Sequence, residues 1–269
     1  MTSHNRSGVG GEPLVRTPAP SSQHRTLAWF SCGAASAIAA KIVAERCDDF
    51  RVVYCDTMAT EHPDNQRFFD EVQEWLGVEI VRIRSDRYET VDDAMMGERY
   101  MSGVKGARCT LEMKKMPRFA YQQPGDVHVF GFTADEGKRI DEFVERADID
   151  MWFPLAEQGI TKADCYRIVE DAIELPALYR LGYRNNNCLG CVKATSARYW
   201  NMTRRDFPDV FARRVEQSRE LGVRLTRVRG KRVFLDELPP DYLPAEPLED
   251  ISCGPDCSPQ QMIPFGDAA

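Results

Sequence analysis

No window of eighteen uncharged apolar residues occurs among the 269 residues of the chain, so no membrane-spanning helix is expected. The first 24 residues, MTSHNRSGVGGEPLVRTPAPSSQH, lack the apolar stretch that a secretion signal needs and are rich in Gly, Pro and Ser. A disordered arm over 1–24 is the expectation. There is no internal repeat, no Gly-Lys-Ser/Thr ending of a Walker loop and no G-x-G-x-x-G spacing, so two common phosphate-loop signatures are absent. Positive charge is not in excess either: the net charge of -7 argues against a general nucleic-acid coat.

Cysteine is plentiful. Nine cysteines in a chain without a leader fit a reducing compartment, taken as the cytoplasm, where thiols serve metals or catalysis rather than a disulfide framework. Cys188 and Cys191 form a Cys-x-x-Cys in a Gly- and Asn-rich loop, a spacing that lets two thiolates reach one metal or cluster. That pair is half a site. Cys32, Cys47 and Cys55 fall in strand or helix contexts and read as core thiols.

Strand-like and helical stretches alternate as in a parallel sheet with crossover helices. TLAWF, RVVYCDT, VEIVRIRS and VHVFGFT read as strands; AASAIAAKIVAERC, EHPDNQRFFDEVQEWLG and TKADCYRIVEDA read as helices, the last capped by Thr161 or a neighbour. The fold class expected is α/β: a doubly wound, mainly parallel sheet of five or so strands with a helical C-terminal extension. The expected divisions are an arm over 1–24, a nucleotide-binding domain over 25–195, a basic extension over 196–235 and a Pro-rich acidic tail over 236–269. From Arg198 to Arg232 the extension carries ten Arg and one Lys against four acidic residues. A solvated amphipathic helix followed by a basic hairpin accounts for this run, and so does a surface for an anionic macromolecule.

Between the first strand and first helix lies Ser31-Cys32-Gly33-Ala34-Ala35-Ser36. A helix N-terminus presents unpaired amides and a positive dipole end, and Ser31, Gly33 and Ser36 leave room for an anion there. Small residues also serve wherever a helix packs closely on a strand.

This loop, Asp56-Thr57, CTLEMKKMPR, GFTADEGKR and LYRLGYRNNNCLGC occur in an order that resembles the phosphoadenylylsulfate reductase family. That family belongs to the PP-loop, or adenine nucleotide alpha hydrolase-like, superfamily, and the resemblance spans about residues 26–195. It implies an adenine nucleotide, ATP or phosphoadenylylsulfate, held by Ser31, Gly33, Ser36, Asp56, Thr57, Gly131, Glu136 and Arg139. Against the family's loop, Cys32 replaces a glycine and Ala35 an aspartate; Thr133 stands where the family often has Arg. The resemblance also implies a four-iron four-sulfur cluster on Cys109, Cys188 and Cys191, with Lys114 beside it. The family's second adjacent cysteine is Thr110 here, so Cys165 is the candidate fourth ligand, with a buried core thiol as its alternative. Zinc is the competing metal.

Three functions follow. The first is iron–sulfur-dependent sulfur transfer, with a nucleic acid or nucleotide as acceptor. The second is a true reductase in which Cys253, in the late Cys-Gly of ISCGPDC, is the nucleophile and a thiol reductant resolves the intermediate. The third is a non-catalytic nucleotide-binding module with structural zinc. The alternatives to a nucleophile at Cys253 are a free thiol pair with Cys257 or a contribution of the two to the metal site. The chain also resembles family members encoded by bacteriophages and prophages.

Overall fold

Strand β1, Thr26–Phe30, is buried along its whole length, and alternation sends its side chains to both faces of a sheet. Leu27 and Trp29 enter one apolar cluster, Ala28 and Phe30 another. Strand β2, Phe50–Cys55, divides likewise, with Val53 and Cys55 on the first side and Val52 and Tyr54 on the second. A sheet buried on both faces needs helices on both. α1 (Ala34–Arg46), α2 (Asp64–Leu76) and the helix Lys162–Glu170 supply residues to the cluster containing Phe30; the helix Gly137–Val144 and Tyr121 supply the other. In this computed structural model, residues 24–103, 106–244, 248, 251 and 253 are described. The arm expected over 1–24, its last residue apart, lies outside them, as do Cys257 and most of the expected tail beyond 244.

The remaining strands are β3 (Ile80–Ile83), the two-residue pair β4 (Ser102–Gly103) and β5 (Gly106–Ala107), β6 (Val127–Val129), β7 (Asp150–Trp152), and the hairpin strands β8 (Thr226–Val228) and β9 (Lys231–Val233). The main sheet runs β3-β2-β1-β6-β7 with every pair parallel. The fold is therefore the expected doubly wound α/β arrangement. Strand order reverses between β1 and β6, and at such a switch point the carboxyl ends of the two strands open a crevice. The loop Ser31–Ser36 leaves β1 there, and Gly131 follows β6.

A further apolar cluster joins Val91, Met95 and Met113 to Cys188, Trp200, Phe211 and Leu235. The extension expected over 196–235 thus shares its core with the segment around Cys109 rather than standing apart. It consists of the helices Ala197–Asp206 and Pro208–Glu220 and the β8–β9 hairpin. Arg214, fully buried, ties it down by donating to the Gly190 carbonyl at 2.9 Å and to Asp92 and Gln217 at 2.5 Å each. No helix among the described residues is long and apolar enough to cross a membrane.

Candidate functional site

The loop after β1 is locked by its own serines. Ser36 Oγ donates to the Gly33 carbonyl at 2.9 Å and accepts the Ser31 amide at 3.1 Å, with Ser31 Oγ also 3.1 Å away. Cys32 is fully buried with a φ of 54°. Its carbonyl is held by Asn186 Nδ2 at 2.5 Å, and the same amide group donates to Asn65 at 2.9 Å. α1 begins with no side-chain cap and no acidic residue in its first turn, so its positive end is not neutralised from within the helix. The Tyr179 hydroxyl accepts the Ala34 amide at 3.4 Å. Gly131 presses against the same turn: a Cβ there would lie 2.7 Å from the Ser36 amide nitrogen. Family resemblance aside, glycine is required at 131 by backbone approach alone.

Ser31, Gly33, Ser36, Gly131 and Tyr179 line a cleft whose walls also hold Lys114, Glu136, Arg139, Asn186 and Cys253. Asn186 Oδ1 is buried with no hydrogen-bond partner among the described residues, an acceptor that suits the amine or hydroxyl donors of a nucleoside. Asp56 and Thr57 do not line the cleft. Asp56 caps the turn Met58–Thr60 through the Met58 amide at 3.1 Å and pairs with Arg84 at 2.8 Å; Thr57 donates to Glu61 at 2.6 Å. Glu136 accepts the Thr133 amide at 2.9 Å and pairs with Arg139, whose guanidinium lies 4.3 Å from the centre of the Phe132 ring.

Cys109, Cys188 and Cys191 share one apolar cluster, beside the buried Lys114. A helical turn at Arg108–Thr110 passes into a π-helical turn, Leu111–Lys115, a distortion that recurs at functional sites and here places Cys109 and Lys114 inward. The buried charges of this segment are paired: Glu112 meets Arg108 at 2.8 Å and Arg87 at 3.2 Å. Cys188 and Cys191 lie in the loop after Asn186, with Gly190 at φ 62° between them; a Cβ at 190 would strike Val210 at 2.8 Å. Thr60 Oγ1 donates to Cys188 Sγ at 3.5 Å. The Cys191 amide donates to the Tyr199 hydroxyl at 2.8 Å.

Cys253 joins this group. Its thiol lies 3.7 Å from Thr110 Oγ1, and its carbonyl accepts Lys114 Nζ at 2.9 Å. The neighbouring Cys191 lowers the Cys253 pKa, with Lys114 and Lys193 assisting against burial, and Cys253 raises that of Cys191. Burial pushes Cys109 up to about 12 and Cys188 up to about 11, Lys114 opposing in both cases. Lys114 is itself buried, which works against its charge, but Cys253, Cys188 and Glu61 overturn that and hold it protonated.

Cys165 is parted from the other three candidates. It is fully buried in the cluster around α1, whereas Cys109, Cys188 and Cys191 belong to the cluster with Trp200. The residues that sequence reasoning passed over are Glu61, which accepts from Tyr54, Thr57 and Asn65, and the run Asn185–Asn187. The triple asparagine directly before the Cys-x-x-Cys was the signal available for the latter. The described cysteines are all free thiols, and no three His, Cys, Asp or Glu side chains among the described residues are already gathered to hold a metal.

Of the basic run, four helical arginines are committed internally. Arg204 holds the Leu235 and Leu238 carbonyls, Arg213 and Arg214 hold Asp92, and Arg219 pairs with Asp236 and Glu237. The hairpin differs: Arg227, Arg229, Lys231 and Arg232 are exposed around a turn in which Arg229 and Gly230 both have positive φ. Compared with protein-family models and with curated proteins, the chain matches none.

Proposed function

We propose that the chain is a PP-loop protein of the phosphoadenylylsulfate reductase family that binds an adenine nucleotide and carries out iron–sulfur-dependent sulfur transfer, with a nucleic acid as acceptor. The observation that carries this reading is the meeting of two features across Lys114. On one side is the uncapped start of α1 in a switch-point crevice; on the other is a group of buried cysteines. The donor set fits a cluster, since buried thiols with lysines beside them suit an anionic iron–sulfur group. Cys109, Cys188 and Cys191 would hold it, and when bound it supplies electrons or a Lewis-acidic iron for sulfur.

The chain's own part is binding and orientation. The first amides of α1 receive a phosphate, Gly131 closes the turn behind it, and Lys114 places a fixed positive charge between the nucleotide and the sulfur ligands. The Thr60 and Thr110 hydroxyls lie against sulfur and tune it. The exposed hairpin offers cations to the acceptor's phosphates.

Protein purified without oxygen should carry iron, sulfide and visible absorbance; stoichiometric zinc without colour would refute the cluster. Calorimetry with ATP, AMP and phosphoadenylylsulfate tests the loop. Gly33→Val introduces a side chain 3.2 Å from the Tyr179 hydroxyl at the phosphate position and should abolish binding in a folded protein. Equal affinity in variant and wild type would remove the nucleotide from this loop.

One observation favours a second reading. Cys253 faces the cleft, and Cys191, with Lys114 and Lys193, lowers its pKa below that of an ordinary thiol. In a reductase its thiolate would attack the sulfate sulfur and expel the nucleotide phosphate to give a cysteine thiosulfonate; a thiol reductant would then form a disulfide with Cys253 and release sulfite. Wild-type protein that releases no sulfite from phosphoadenylylsulfate ends that reading.

A further inference from the structure

We infer that Cys253 is the fourth thiolate of the cysteine site, closing a set made of Cys109, Cys188, Cys191 and Cys253. The inference rests on the cluster reading above and adds to it the residue that completes the shell. Sequence separation hides the pairing, since 62 residues part Cys191 from Cys253, yet the structure fastens the late segment to the site at several points. The Ile251 amide donates to Asn185 Oδ1 at 3.0 Å, and the Ile251 carbonyl accepts Asn187 Nδ2 at 2.9 Å. Both asparagines belong to the run that leads directly into Cys188. Two residues on, Lys114 holds the Cys253 carbonyl at 2.9 Å, and Cys253 Sγ stands 3.7 Å from Thr110, the neighbour of Cys109. The fourth thiol is thus bracketed by the two segments that carry the other three.

Ligation requires side-chain rotation. The Thr60–Cys188 hydrogen bond and the Thr110–Cys253 contact must be exchanged for bonds to iron, and each S–H proton passes to solvent as its sulfur–iron bond forms. Cys165, packed against α1, has no such route. A consequence follows for the nucleotide. Ile251 and Cys253 both line the cleft, so iron bound at Cys253 would fasten one wall of the nucleotide site.

The test uses the full chain, reconstituted without oxygen with ferrous iron and sulfide, then treated with iodoacetamide and read cysteine by cysteine by mass spectrometry against the metal-free protein. Cys253 should be alkylated more than about tenfold more slowly in the iron-loaded protein, together with Cys109, Cys188 and Cys191, because a ligated thiolate is not a free nucleophile. Cys165→Ala should keep the full iron content, whereas Cys253→Ala, with its fold checked by circular dichroism, should lose iron or retain a three-iron cluster visible by electron paramagnetic resonance. Shielding of the other three with Cys253 alkylated at the metal-free rate overturns the inference and leaves the cluster reading standing. Failure to take up iron, with none of the four shielded, overturns both.

Discussion

His128 shows what one buried side chain contributes away from the site. It is 1% exposed, stacked with Trp29 and Phe130 at 5.9 and 6.2 Å, and its Nδ1 accepts the Trp29 indole N–H at 2.9 Å. Burial, and after it the Arg118 charge, depress the imidazole from 6.5 to about 4. The folded protein therefore refuses a proton that the unfolded chain accepts below 6.5. The resulting stability is fully present above 6.5 and is lost as pH falls to about 4, a change of about 3 kcal/mol for this gap. His128→Gln keeps an acceptor for Trp29 and removes the titration. Urea midpoints measured from pH 7 down to 4.5 should fall more steeply for wild type than for this variant; parallel curves would show that His128 does not carry the dependence.

At the scale of elements, the decisive contact is between the turn after β6 and the start of α1. A methyl group at Gly131 would meet Ser36 N at 2.7 Å and Ser36 Cα at 2.9 Å, both backbone atoms that cannot swing aside. Gly131→Ala should cost about 1–3 kcal/mol in chemical denaturation, as overpacking does, and should weaken nucleotide binding by spreading the crevice. An unchanged midpoint would mean the two elements have slack. The same contact explains a difference from the sequence reading. VHVFGFT alternates as one strand, but β6 ends at Val129 because the chain must leave the sheet for Gly131 to reach Ser36. The strand β7 was not legible, being three residues long, whereas β1, β2 and the Thr161 cap were, because each depends on local pattern. Asp56 and Thr57 read correctly as a strand end, but their side chains serve Met58 and Glu61. The sequence offered Cys253 as nucleophile, free thiol or part of the metal site without choosing, because the residues it meets, Thr110 and Lys114, are distant in sequence and no periodicity encodes such a meeting.

Over the whole molecule the charge is unevenly used. Composition counts ten arginines in the run from Arg198 to Arg232, but packing decides which of them a partner can meet. Arg214 is a core residue, Arg219 lies 3.9 Å over the Phe234 ring while paired with two carboxylates, and Arg204 holds backbone carbonyls. The β8–β9 hairpin keeps Arg227, Arg229, Lys231 and Arg232 outward, and Thr226 Oγ1 roots it on the Thr195 carbonyl at 3.0 Å, four residues beyond Cys191. Under the proposed function, a nucleic acid docked on the hairpin would be tied through one short segment to the cysteine loop. Neutralising Arg227 and Lys231 together to Gln should weaken binding of single- and double-stranded oligonucleotides at low salt, and should reduce the slope of log affinity against log salt by about one per lost phosphate contact. Arg213→Gln removes one positive charge from a committed position, where its loss leaves Asp92 to Arg214, and should leave that slope unchanged. If the two substitutions act alike, or if neither form binds oligonucleotides, the acceptor is not a nucleic acid docked on this hairpin, and a free nucleotide in the cleft takes its place.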